Sequence, residues 1–445
     1  MAKGFAALPN APAYRLVNAR APLALLTASG LAADREGLSA IDLTVEDGRI
    51  ASVVPAGMAT LDAGLPALDL DGGIVLPRLV DIHTHLDKGH IWPRRPNPDG
   101  TFLGALQNAG ADREARWTAE DVRARMDFAL RCAFAHGTGA IRTHLDSIGP
   151  QTAISWPVFA ETREEWRGRI ALQAVSLFPL DLVLDDEAQF RAIVAQTARH
   201  GGVLGGVTFL GQAPTERTDR ALDRLFQAAA AEGIDVDLHV DESDSPAART
   251  LVRVAEAAIR NRYAGKVLCG HACSLALMSE RDLARAIARI AEAKLAVVSL
   301  PLCNMYLQDR RPGRTPRWRG VAPLHELQAA GIPVMVASDN TRDPFHAYGD
   351  LDMLEVLREA TRILHLDHGG PDPFRTVAAT PADLMNLDRH GRIEAGDAAD
   401  LVLTRARGLT ELLARPHADR TVLVAGQAID TTLPDYRELD RWMLG

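Results

Sequence analysis

The sequence predicts an α/β protein: a (β/α)8 barrel that carries a smaller β domain made from both chain ends. Three observations predict it. Apolar, strand-like runs alternate with Ala/Arg/Glu-rich stretches through the middle of the chain, the pattern of a parallel sheet with crossover helices. Eight such runs can be counted, the number that closes a barrel. Short β-patterned segments near the N-terminus are answered by others near the C-terminus.

At the N-terminal end, Ile41–Val45 and Ile50–Val54 flank Glu46-Asp47-Gly48-Arg49. An Asp-Gly pair between two short strands is a strong hairpin signal. Gly72-Gly73 then reads as a turn feeding the apolar run Ile74 to Val80. That run leads into Val80-Asp81-Ile82-His83-Thr84-His85-Leu86-Asp87, the first barrel strand. The other candidate barrel strands span residues 140–144, 170–175, 203–209, 234–239, 266–271, 296–300 and 334–339. Between most of them lie helical stretches such as 220–232 and 280–294. Residues 400–404 and 421–426 read as strands again. The expected division is 1–77 with 388–445 for the β domain, and 78–387 for the barrel.

Composition fits this plan and excludes some function classes. A chain of 445 residues is too long for one small core, and one large domain plus a smaller one is the natural expectation. The hydrophobic fraction of 47% and charged fraction of 24% are those of an ordinary globular enzyme. A net charge of −9 disfavours a phosphate-backbone partner, so no nucleic-acid partner is expected. No basic stretch precedes an apolar core at the N-terminus, and no apolar run is long enough to span a bilayer. The expectation is a cytoplasmic protein without a membrane partner. The four cysteines form no Cys-x-x-Cys pair. Cys269 and Cys273 flank His271, but buried apolar thiols beside a barrel strand outweigh a zinc knuckle.

The polar residues fall at the strand ends. Side chains two apart on a strand point the same way, so His83 and His85 can aim two imidazoles at one point. His144 closes the second strand, His239 the fifth, His271 the sixth and Asp339 the eighth. Barrel active sites lie at that end, whereas His200 and His325 are expected on helices or loops. His83, His85, His239 and Asp339 offer three neutral nitrogens and one carboxylate, which suits one Zn²⁺ or Fe²⁺ and not Mg²⁺ or Ca²⁺. A hydrolase also needs a base for water and an acid for the substrate. Asp339 can touch both metal and water. Glu242, three residues past His239, can carry a proton to a ring nitrogen, and the competing reading is a solvated loop acid. His271 can hydrogen-bond the water or the developing alkoxide, or serve as a core histidine.

These residues carry a resemblance. The chain resembles the amidohydrolase superfamily, in its branch of cytosine deaminases and N-isopropylammelide amidohydrolases, over essentially its full length. The matching stretches are His83-Thr84-His85-Leu86-Asp87, Arg142-Thr143-His144-Leu145-Asp146, His239-Val240-Asp241-Glu242, Gly270-His271, Pro301 to Gln308 and Ser338 to Phe345. The resemblance implies a β-sandwich for the split domain and a mononuclear Fe or Zn site at His83, His85, His239 and Asp339. It further implies a catalytic set of Glu242, His271 and Asp339, removal of an amino group from an N-heterocycle, and a homo-oligomer. Binuclear relatives use a lysine at the end of the fourth strand. Here that strand ends Val207-Thr208-Phe209-Leu210, and of the four lysines Lys3, Lys88, Lys266 and Lys294 none is placed to bridge two metals.

Departures from that branch bear on the substrate. The glutamine that cytosine deaminases carry after the third strand is missing from Val175 to Leu180. Asn340 stands where they have a second aspartate, and Phe345 where they have a tryptophan. Changed partners for a polar ring edge imply a changed substrate. The expected pocket residues are Asn340, Phe345, Gln308 and Lys88. The expected activity is hydrolytic deamination of an amino-substituted N-heterocycle other than plain cytosine, such as a pterin, a triazine or a substituted pyrimidine. The rival readings are hydrolysis of a cyclic amide or an N-alkylamino heterocycle, and an inactive scaffold that serves in assembly.

Overall fold

The computed structural model describes residues 4–58 and 64–444. Lys3 therefore lies outside the described residues. The N-terminal strands are β1 (Ala13–Pro22), β2 (Leu38–Glu46), β3 (Arg49–Pro55), β4 (Ala67–Asp69) and β5 (Val75–Pro77). The hairpin forms where Asp-Gly predicts it: Glu46 pairs with Arg49, and Asp47 and Gly48 both take positive φ, +49° and +77°. That is the left-handed pair a two-residue hairpin turn requires.

Eight parallel strands follow: β6 (Leu79–Thr84), β7 (Thr138–Asp146), β8 (Ala171–Leu177), β9 (Leu204–Val207), β10 (Val236–Val240), β11 (Val267–His271), β12 (Ala296–Ser299) and β13 (Val334–Val336). Strands β6-β7-β8 and β9 to β13 form two ladders. Bridges Val175↔Val203 and Pro179↔Val207 join β8 to β9, and Thr84↔Asp339 closes the ring from β13 to β6. The closing bond runs from the Asp339 N–H to the His83 carbonyl, 2.9 Å. This is the expected (β/α)8 barrel. Val80, Ile82, Ala140, Leu268, Val298 and Met335 pack as one cluster from its strands.

The crossover helices cover the outside for a simple reason. In Glu216–Glu232, Ala221, Leu222, Leu225, Phe226 and Ala229 fall on one face and are buried. A capping box of Thr215 with Thr218 starts this helix, and Gly233 at φ +64° ends it.

The chain closes with β14 (Leu401–Leu403), β15 (Thr421–Val424) and β16 (Gln427–Ala428). Sheet β3-β2-β1-β4 and sheet β16-β15-β14-β5 share one core, with Leu16, Ile41, Leu43 and Ile50 against Val75, Leu401, Leu403 and Leu423. The apolar run Ile74 to Val80 thus divides. Its first half pairs with β14, its second half enters the barrel, and only Arg78 separates them. The Arg78 guanidinium is buried and donates to the carbonyls of Arg169 (2.8 Å) and Thr138 (2.5 Å).

Candidate active site

The histidines arrive at one place because the strands do. His83 is the penultimate residue of β6, and His85 lies just past its end. Asp339 follows β13 by three residues, and the strand expected to run to 339 ends at Val336. Ser338 donates from N–H and hydroxyl to the buried Asp81 carboxylate, which ties this loop back to β6. Asp339 then takes φ +65° and His271 φ +69°, left-handed values that are uncommon for residues other than glycine.

Asp339 Oδ1 lies 3.2 Å from His85 Nε2 and 3.5 Å from His83 Nε2. His85 Nε2 lies 3.2 Å from His239 Nε2. Ligating atoms of His83, His239, His271 and Asp339 all fall within 4.8 Å of one another. All five side chains are buried. Both nitrogens of His83, Nδ1 of His85 and His239, and both oxygens of Asp339 have no hydrogen-bond partner. Buried polar atoms left unpaired are costly, and a cation held where the Nε2 atoms meet Asp339 Oδ1 would pair His83 Nε2 and the Asp339 carboxylate. Burial holds His83, His85 and His239 well below the ordinary imidazole pKa, so their lone pairs are free. Burial also pushes the Asp339 carboxyl up to about 7. The set fits a divalent metal of nitrogen-accepting character.

His144 does not join this focus. It sits deeper in the barrel, its ring 4.1 Å from that of His83 and 4.5 Å from that of His239. Its Nε2 lies 3.8 Å from Asp237, whose other oxygen holds Arg142 at 2.9 Å. His200 follows the helix Glu187–Arg199, and His325 lies in the helix Leu324–Ala329, both away from the site.

Glu242 stands above the cluster. Asp241 fixes its backbone by accepting from the N–H groups of Thr250 (2.9 Å) and Leu251 (3.0 Å) at the start of the helix Thr250–Arg260. Glu242 Oε1 is 3.5 Å from His271 Nδ1. Asn304 joins them, its amide nitrogen 3.2 Å from Glu242 Oε1 and 2.9 Å from His271 Nδ1. Burial, then the Asp339 charge, raise the Glu242 carboxyl well above its ordinary range. Asn304 belongs to a stretch that carries the family resemblance, yet sequence reasoning gave it no role. The available signal was a lone amide in an apolar run just after a barrel strand.

Glu242, His85 and His239 open onto a cavity of about 650 Å³, mouth included. Lys88, Asn340 and Phe345 line it as expected. Gln308 does not; it lines an adjoining cavity with Leu307 and Asp309, and the two cavities share Phe102, Leu106, Leu210 and Glu242. Lys88 Nζ contacts Asp146 at 3.2 Å and lies 5.1 Å over the Phe345 ring. Burial opposes its charge, but Asp146, Asp87 and Asp343 outweigh that and keep it cationic. Asn340 donates to Asp343 at 2.6 Å, and Asp343 accepts from the Phe345 N–H at 2.8 Å, which pins the ring. Sequence reasoning missed Asp146, Arg113 (2.9 Å from Asp146) and the walls Phe102 and Phe178. The strand signal was there for Asp146, two residues beyond His144. The walls come from a helix, Phe102–Arg116, and a loop with no polar pattern. All four cysteines are free and buried.

A closed parallel barrel with histidines and a carboxylate at its C-terminal mouth defines a metal-dependent hydrolase scaffold. The comparisons make this specific. Residues 180–430 match the amidohydrolase family. A pterin deaminase of Rhizobium rhizogenes is 53% identical over 440 residues, 99% of each chain. The N-isopropylammelide isopropyl amidohydrolase of a Pseudomonas species is 26% identical over 76% of this chain and 81% of its own. A 5-methylcytosine deaminase of Klebsiella pneumoniae, solved with 5-fluorocytosine, superposes with a TM-score of 0.76 at 25% identity, over 95% of this chain and 98% of that one. The chain belongs to the amidohydrolase family and is a hydrolase of carbon–nitrogen bonds. Among the described residues no helix is long and apolar enough to cross a membrane.

Proposed function

We propose that this chain is an aminohydrolase holding one Zn²⁺ or Fe²⁺, and that it replaces the exocyclic amino group of an N-heterocycle by oxygen, with pterins preferred over cytosine. One observation carries the reading. His83 Nε2 and His85 Nε2 approach Asp339 Oδ1 to 3.5 and 3.2 Å, and His85 Nε2 approaches His239 Nε2 to 3.2 Å, beside an apolar-walled cavity that His85, His239 and Glu242 line. The full-length likeness to a pterin deaminase supports the ring class. So does the wall Leu177-Phe178-Pro179, which offers no amide partner for a pyrimidine.

His83, His85, His239 and Asp339 would hold the ion. When bound, it supplies a water acidic enough to lose a proton near neutrality. A single ion fits the lysines. Lys88 is engaged by Asp146, and Lys266 donates to the Asp383 carbonyl and to Asn386. Asp339 takes the proton of the attacking water. His271 hydrogen-bonds the oxygen as it adds to the ring carbon. Glu242 delivers a proton to the adjacent ring nitrogen; the proton held by Asp339 then passes to the amino group, which leaves as ammonia while the added hydroxyl returns its proton to Glu242 and the ring carbonyl forms. Phe102, Phe178 and Phe345 exclude bulk water, which strengthens each of these contacts.

The test is a panel of ring amines assayed for ammonia. Pterin is expected to give the highest kcat/KM. Products formed without ammonia would favour cyclic-amide hydrolysis instead.

A further inference from the structure

We infer that Asn304 is the positioning residue that sets the tautomer of His271 and the orientation of Glu242 together. This makes His271 a hydrogen-bond donor to the reacting oxygen rather than a fifth metal ligand. The inference deepens the proposed deamination and rests on its assignment of Glu242 and His271.

Asn304 is fully buried in the first turn of the helix Pro301–Leu307, which follows β12 directly. Its backbone N–H is spent on the Leu300 carbonyl at 2.9 Å, so the side chain is held at a fixed height above the strand. From there one amide nitrogen reaches both Glu242 Oε1 (3.2 Å) and His271 Nδ1 (2.9 Å). An amide nitrogen has two hydrogens and only donates. The Glu242 oxygen that meets this nitrogen accepts whether the carboxyl is ionised or carries its proton on the other oxygen. The nitrogen therefore faces Glu242, and His271 Nδ1 must accept from it as well.

A neutral imidazole that accepts at Nδ1 carries its proton on Nε2. His271 Nε2 is buried, has no partner and belongs to the side chain whose ring lies 4.9 Å from that of His239 and 5.3 Å from that of His83. An N–H there cannot ligate a metal, although His271 is close enough to the cluster to be counted with it. It can donate to an oxygen held at the cluster. His85, which approaches Asp339 and His239 to 3.2 Å each, then supplies the ligand that His271 does not.

The test reads the tautomer without any substrate. Protein with ¹⁵N-labelled histidine, metal-free and loaded with Zn²⁺, is examined by NMR, with His271→Gln used to assign the signals. The expected result is a pyrrole-like Nε2 and a pyridine-like Nδ1 in both states. Asn304→Asp places an acceptor at the same position, so the two nitrogens should exchange character. Its kcat should fall on the order of 10²-fold or more with KM within about threefold, the range seen when one preorganised donor is lost. Asn304→Ala, checked for Zn²⁺ content and melting temperature, should lose kcat without changing metal content. A pyridine-like Nε2 in the wild type, or wild-type kcat in Asn304→Asp, would overturn the inference. Absence of any deaminase activity in the wild type would instead sink the proposed function and leave the tautomer result standing.

Discussion

Glu242 illustrates what one residue is asked to do and how it can be checked. Its carboxylate is held by Asn304, raised by burial and by Asp339, and turned toward the cavity. Glu242→Gln keeps the shape and removes the titration. It should retain metal content and melting temperature and lose kcat by roughly 10²–10⁴-fold, the usual worth of a positioned acid–base group. Near-normal turnover would make Glu242 a loop acid. The Asn340 and Phe345 substitutions argue at the same scale. Asn340 commits one of its two amide hydrogens to Asp343 and carries no carboxylate, and Phe345 lacks an indole N–H, so two groups that would meet a pyrimidine edge are absent. Each mispaired group costs about 1–3 kcal/mol, or about tenfold or more in kcat/KM. Cytosine should therefore trail pterin by at least about 10²-fold; equal values would remove these positions from the specificity argument. At this scale the sequence was most legible where chemistry and strand period coincide, as in His83-x-His85. It was least legible for Asn304 and Arg113, whose importance depends on which loop and helix bend over the mouth.

The elements are joined by a few buried ion pairs, and one of them ties the C-terminal segment to the barrel. Arg420, just before β15, clasps Asp352 through two bonds of 2.7 and 2.6 Å, ahead of the helix Met353–Leu364. Burial alone would raise the Asp352 carboxyl, but Arg420 and then His136 outweigh it and hold the group at about 2. The folded value lies below the unfolded one of about 3.9, so this contribution is complete above about pH 4 and is lost as pH falls through about 2. The displacement corresponds to about 2–3 kcal/mol. Arg420→Met strands the carboxylate and should cost about 3–5 kcal/mol at pH 7, lowering the melting temperature. The gap between variant and wild type should narrow as the pH is taken from 4 toward 2. Coincident melts at pH 7 would show that the pair is not a tie. No sequence pattern announces this contact, since its partners are 68 residues apart. The Asp47-Gly48 hairpin, by contrast, was legible because its turn chemistry is local.

The barrel as a whole could be counted in the sequence because its strands are short, largely apolar buried runs, several of them with a histidine or carboxylate at or near the end. Its closure could not, because Thr84 at the end of β6 meets Asp339, three residues past β13, only through an isolated bridge. Nor could the division of Ile74 to Val80 between two sheets be seen in the run itself, since both halves are buried alike and only the Arg78 side chain marks the join. The metal claim also belongs to the whole molecule, because its donors come from β6, β10 and the segment after β13. Protein stripped with a chelator and reconstituted with excess Zn²⁺ should hold one tightly bound ion per chain. Two ions, or none, would contradict the single-site reading.

The most direct test of the account is ammonia release from pterin, measured on the stripped protein before and after reconstitution with Zn²⁺ or Fe²⁺. Release should be negligible without metal and recover with metal, in step with the fraction of sites filled. Release that is unaffected by stripping, or none from any ring amine when the site is full, would contradict it.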